Sequence, residues 1–384
     1  MSAPLPQPAA MQRFFADSTV FQWRNQTLRA DLILTLPIVV CLAIGLGLGH
    51  PGVGLLAAGG AMNTGFGQKH RIDDSELVPM IFVTLGMAFS GFVGVLVGHE
   101  NLLLVLLSSV WAFGYGMLTP RPEGYAWVGQ QCVITFLVAS AFPASLADAA
   151  ARGLLLLAGG AVQLILSSLL LRVFHRLRNH LFQLACYIRD ERAAFLAALA
   201  QTAQSVRQRR FLNSAMPYSL RLAATVGLST EIYRRLHYPS GYWIPMTALL
   251  VLKPGLSDTV SRAIARVLGT MCGAIVVSFC LVHAHPTPLA LAAFTALFAW
   301  LSYGLLNVNY ALFSVAITGY IVFLLSLNQV PGPTIAVHRT FSTALGGAIA
   351  LCTRVLVISY RRRHWLRAAA VARHVAHPHH TPAG

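Results

Sequence analysis

Two lysines stand among the 28 basic residues of this 384-residue chain, Lys69 and Lys253, 184 positions apart. Lys253 ends a short apolar run, 242–252, and is followed by Pro254 and Gly255. Lys69 ends a glycine-rich run, 52–67 (GVGLLAAGGAMNTGFG). An ammonium at the end of such a run can capture an anion, a carboxylate above all, or simply reach lipid phosphates. Run 242–252 is too short for a spanning helix, which needs roughly 20 residues. It also contains Pro245, so both runs are expected to be short or broken within a membrane, a pattern that marks binding sites in transporters.

Further groups suit anion handling. Arg152 and Arg339 are expected to open helices from the outside, and Arg354 to lie deeper, free to pair with Asp31 or Asp258 or to guide a substrate. Tyr242, Trp243, Tyr303 and Tyr310 can stack on an aromatic acid or belong to interfacial belts. Proton coupling needs a titratable group; the candidates are Glu231, Asp31 and His237, with Asp148, His50, His99 and His285 behind them. Asn307 and Asn309 read as helix caps. The expected substrate residues are therefore Lys69, Lys253, Arg354, Tyr242, Trp243, Tyr303 and Tyr310.

Catalysis is not expected. The chain has no nucleophile elbow, no phosphate-cradling glycine loop and no HExxH, and His99-Glu100 stands alone. None of the six cysteines forms a CxxC pair. No cofactor and no metal site is expected, and the histidines of the tail HVAHPHHTPAG read as incidental.

Composition sets the surroundings. The chain is 56% apolar and 10% charged, against about 25% charged in soluble proteins. It reads as an integral membrane protein with the lipid bilayer as its solvent. The formal net charge is +16, but the arginines cluster between apolar runs, as in cytosolic loops facing anionic lipid, and no nucleic-acid partner is expected. The first 27 residues hold no apolar core, so no cleavable signal is expected.

Twelve spans are expected: 28–48, 53–67, 79–98, 102–118, 125–143, 153–171, 219–236, 242–252, 263–282, 288–306, 310–327 and 340–359. They divide the chain into a cytosolic segment 1–27, a first six-helix repeat 28–172, a cytosolic linker helix 173–217, a second repeat 218–360 and a basic cytosolic tail 361–384. The linker carries an apolar stripe that can pack on the membrane surface, on the chain itself or on a second copy, giving a homodimer. Offsets of 184–188 residues recur between the halves: Tyr115-Gly116 with Tyr303-Gly304, Gly159-Gly160 with Gly346-Gly347, and Tyr125 with Tyr310. Six spans per repeat make the repeats parallel, and cation placement puts both termini in the cytosol.

The segments GYWIPMTALLVLKPGLSDTVSRAIARVLGTMCGAIV and SYGLLNVNYALFSVAITGYIVFLL resemble the fusaric-acid-resistance-like family. That family includes bacterial aromatic-acid exporters of the inner membrane and is distantly similar to plant aluminium-activated malate channels. The resemblance covers 218–360 and implies two six-helix modules joined through a cytosolic region. It also implies export of small organic anions, often aromatic carboxylates. The expected fold is an all-α polytopic membrane protein of two parallel six-helix repeats. The expected function is proton-driven export of an organic carboxylate, aromatic ones foremost, across a bacterial inner membrane. An anion channel and a non-transporting scaffold acting through the linker helix are the rivals.

Overall fold

The computed structural model describes residues 13–25, 28–72, 75–173, 189–190, 192–197, 200, 209–238, 240–328 and 331–376. Among the described residues twelve helices carry the fold: α1 (Leu28–Gly47), α2 (Pro51–Gly67), α3 (Leu77–Val97), α4 (Asn101–Leu118), α5 (Glu123–Ser140), α6 (Leu146–Ser167), α7 (Arg209–Leu236), α8 (Trp243–Val251), α9 (Leu256–Ala284), α10 (Pro288–Leu305), α11 (Tyr310–Ser326) and α12 (Gly332–Ala376). A short helix, Ala16–Thr19, precedes them. Most of the linker stripe, and the tail from His377 on, lie outside the described residues.

Helices α1, α3, α4, α6, α9, α10 and α12 contain stretches long and apolar enough to cross a membrane. Their outward faces carry large apolar side chains such as Leu36, Phe89, Leu154, Ile275 and Leu356. Leucines turned away from the protein suit lipid and oppose water. With the all-helical content, these features make the chain a multi-pass membrane protein.

Helix starts follow local chemistry. The Ser145 side chain accepts from Asp148 N, Thr287 from Ala290 N ahead of Pro288, and Asn309 from Ala311 N and Leu312 N. Asn309 is thus a cap, as expected. Two expectations about breaks need correction. Helix α2 runs unbroken through its glycines. Pro245 lies in the first turn of α8 and does not interrupt it, because first-turn N–H groups need no helical partner. Helix α8 is short nonetheless, nine residues, about 14 Å long.

Four starts come well before the apolar cores suggested, two of them α6 at Leu146 and α7 at Arg209. Helix α9 begins at Leu256, with Thr259 Oγ1 donating to the Gly255 carbonyl, and α12 begins at Gly332. Arg152, Arg262 and Arg339 are therefore inside helices, and neither Arg152 nor Arg339 opens one.

In the first six helices, α2 packs on α1, α3 and α6; α3 packs on α5 and α6; and α4 packs on α5. In the next six, α8 packs on α7, α9 and α12; α9 packs on α11 and α12; and α10 packs on α11. The sets meet chiefly at two seams, α4 against α7 and α1 against α10. Close approach needs glycine at matching places. A Cβ on Gly159 of α6 would overlap the Ala57 carbonyl of α2, and one on Gly346 of α12 would overlap the Ile244 carbonyl of α8. At the seams, Gly116 lies against Ser219 of α7 and Gly304 against Asp31 of α1.

Candidate anion-handling residues

Lys253 sits in the turn between α8 and α9. Its N–H donates to Thr259 Oγ1 at 3.1 Å, which ties the Lys-Pro-Gly turn to the first turn of α9. A pocket of about 250 Å³ opens here, lined by Lys253, Arg13, Arg262, Asp17 and Asp258 among others. The short N-terminal helix lies across one side: Asp17 N donates to Ser261 Oγ at 2.8 Å, and Asp17 Oδ2 lies 3.7 Å from Arg262 Nε. The Arg262 guanidinium stands 3.8 Å from the centre of the Tyr310 ring, so this sequence candidate borders the pocket through a cation–π contact. Burial, then the nearby Arg262 charge, push the Lys253 ammonium down to about 8, against the opposing pull of Asp17, Asp258 and Glu123. At neutral pH it is still mostly charged.

Lys69 is placed differently. It does not line this pocket, and it pairs with Asp31, whose carboxylate is 0% exposed. The structure thus joins an expected substrate cation to an expected coupling acid. Its neighbours do not replace it. Burial pushes His70 down to about 4, and its ring stacks on Trp127 at 4.7 Å. His70 is therefore neutral at pH 7, and its 3.8 Å approach to Glu123 is not an ion pair there. Arg71 pairs with Glu76 at 2.9 Å.

The remaining candidates are scattered. Tyr303 is buried in the core, donating to the Met62 carbonyl at 2.9 Å across the α10–α2 contact. Tyr242 and Trp243 are buried at the far end of α8. Glu231 pairs with Arg235 one turn on, at 2.5 Å. His237 is exposed beside it, with Nδ1 2.9 Å from the Arg235 carbonyl. Arg354 is partly buried with Nε unpartnered, and forms no ion pair with Asp31 or Asp258.

Two arginines escaped the sequence reading as a site. Arg266 of α9 and Arg339 of α12 are 3% and 0% exposed. The Arg339 guanidinium lies 4.0 Å from the centre of the Trp243 ring, and its Nε donates to Thr318 Oγ1 at 3.3 Å. The available signal was spacing: Arg262, Arg266, Thr270 and Gly273 recur at helical intervals on one face of α9.

Residues 226–353 match the family model described as fusaric acid resistance protein-like. That segment is similar to this family. It contains α8 to α11 whole, with Lys253, Arg266 and Arg339. The chain is also similar to bacterial proteins. An uncharacterised protein of Synechocystis is 32% identical over 142 residues, 36% of this chain and 19% of that one. The uncharacterised protein YhfK of Escherichia coli is 33% identical over 132 residues, 34% of this chain and 18% of that one. An uncharacterised Neisseria gonorrhoeae protein is 34% identical over 90 residues, 23% and 22% of the two chains. The matches span about a fifth of the length of these curated relatives. No solved structure matches the chain.

Proposed function

We propose that this chain is an inner-membrane exporter of organic carboxylates, aromatic ones foremost, that gathers its substrate at the Lys253 pocket. The observation that carries the reading is the pocket itself: three cations, Lys253, Arg13 and Arg262, against two carboxylates, Asp17 and Asp258. A net positive mouth raises the local concentration of anions and speeds their capture. Tyr310, held under Arg262, offers an aromatic face beside the charge. The family, a group associated with membrane transport and resistance, supports the same class of function.

In this reading the pocket faces the cytosol and both termini are cytosolic. The two sets of six helices act as parallel repeats that rock against each other along the α4–α7 and α1–α10 seams. Their matching neighbour order and the Gly159 and Gly346 contacts support that arrangement. Proton coupling would use acids such as Asp31 and Glu231, since each already sits against a cation whose release can be tied to protonation.

The test is export of a panel of aromatic acids from cells expressing and lacking the protein. Faster loss of at least one acid from expressing cells supports the reading. Equal loss of every acid would remove it. Movement that only follows the gradient and ignores an uncoupler would favour the channel.

A further inference from the structure

Four polar groups form a column inside the second set of helices. On α9, Arg266 and Thr270 are four residues apart, and Gly273 follows on the same face. Gly273 meets Thr318 of α11, where a Cβ would lie 3.0 Å from the Thr318 Cβ. Thr318 accepts from Arg339 of α12, and Ser342 stands three residues, nearly one turn, beyond Arg339. Gly347, further along α12, faces Val267 and Ala263 of α9. The column therefore runs between α9 and α12 from Arg339 through Ser342 and Thr270 to Arg266. One turn beyond Arg266 is Arg262, at the Lys253 pocket.

The column holds two guanidinium groups and no carboxylate. Arg339 Nη1 and Nη2, Arg266 Nε, Trp243 Nε1, Thr270 Oγ1 and Ser342 Oγ are buried with no hydrogen-bond partner. Among the described residues neither arginine forms an ion pair. A buried charge without a counter-charge is strongly unfavourable, and intramembrane arginines face partners or a path. The Trp243 face and Thr318 fix the Arg339 plane but supply no negative charge.

We infer that Arg266 and Arg339, with Trp243, Thr270 and Ser342, form a buried site for the carboxylate of a transported organic anion. This rests on the transport reading for its ligand, and places a second binding position beyond the mouth. A carboxylate accepts two parallel hydrogen bonds from a guanidinium fork, which matches the two unpartnered Nη groups of Arg339. The hydroxyls of Thr270 and Ser342 stand between the two arginines along α9 and α12 and add donors to the same site. The first set of helices does not repeat the site. Arg152, the counterpart of Arg339, is partly exposed and donates to the Phe142 carbonyl at 2.5 Å.

The test is thermal unfolding of the full chain in detergent, at constant ionic strength, in a buffer whose only anion is a bulky sulfonate. Sodium benzoate, sodium chloride and sodium phosphate are added separately. Benzoate should raise the wild-type midpoint at concentrations where chloride and phosphate do not. Arg339→Gln and Arg266→Gln should weaken that response by about tenfold or more, the size of effect expected for losing a charge-assisted pair. Arg339→Lys should fall between, and Arg152→Gln should match wild type. Without added anion the glutamine variants should unfold no lower than wild type, since each removes an unpaired buried charge; a large drop would overturn the site. So would an unchanged benzoate response in both glutamine variants, no response in wild type, or a chloride response equal to that of benzoate. A benzoate response that needs both arginines, in a protein that exports nothing, keeps the site and removes the transport reading. Export with unaltered half-saturation in Arg339→Gln removes the site and keeps export.

Discussion

Asp31 and Lys69, 38 positions apart, form an ion pair between α1 and the turn after α2, with the carboxylate fully enclosed. The pair makes Lys69 a structural cation before it is anything else. Lys69→Gln should lower the thermal stability of the purified protein, by up to about 3 kcal/mol, because it takes a counter-charge away from a buried carboxylate. Replacing both, Asp31→Leu with Lys69→Met, should recover much of the loss. A single variant as stable as wild type would show that the pair carries no stability.

Lys253 should behave in the opposite way. Lys253→Gln should raise the half-saturating substrate concentration for export while leaving membrane abundance unchanged. Lys253→Arg should keep more of the capture, since the charge remains and a guanidinium also holds carboxylates. Equal kinetics for all three proteins would remove Lys253 from the mouth.

The same residue predicts a pH dependence. Lys253 is pushed down to about 8, so it is charged below that pH and neutral above it. An aromatic carboxylate stays ionised throughout this range. Capture should therefore weaken as pH rises from about 7 to 9, with the change centred near 8, and Lys253→Arg should flatten the profile. A wild-type profile without a step near pH 8 would contradict the assignment.

Gly346 and Gly159 test the packing. Gly346→Ala drives a methyl into the Ile244 carbonyl and Gly159→Ala into that of Ala57, so each should cost about 1–3 kcal/mol. Gly114→Ala meets nothing within 4 Å and should be neutral or slightly stabilising. Equal melting of all three variants would mean that the glycines do not set the helix spacing.

The helices were legible because apolar runs, proline starts and polar caps are local signals. The ends of α9 and α12 were not. Arg262 looks like the basic flank of a span, yet Gly255 and Thr259 start the helix before it. Lys253 stood out through its scarcity and its Pro-Gly context, and it lines the pocket beside the short N-terminal helix. The Asp31–Lys69 pair and the meeting of Arg339 with Trp243 depend on how distant helices pack, and no local pattern carries that. Tyr303 reads the same from sequence whether it stacks on a substrate or, as here, binds the Met62 carbonyl.

Uptake of labelled phthalate into inverted membrane vesicles tests the central claim most directly, since this aromatic dianion is too charged to leak through lipid. Inversion turns the proposed cytosolic mouth outwards. Energised vesicles carrying the protein should accumulate phthalate above the external concentration, lose it when an uncoupler is added, and need more substrate for half-saturation with Lys253→Gln. Uptake no greater than in vesicles lacking the protein, for phthalate and for other aromatic carboxylates alike, would contradict the account.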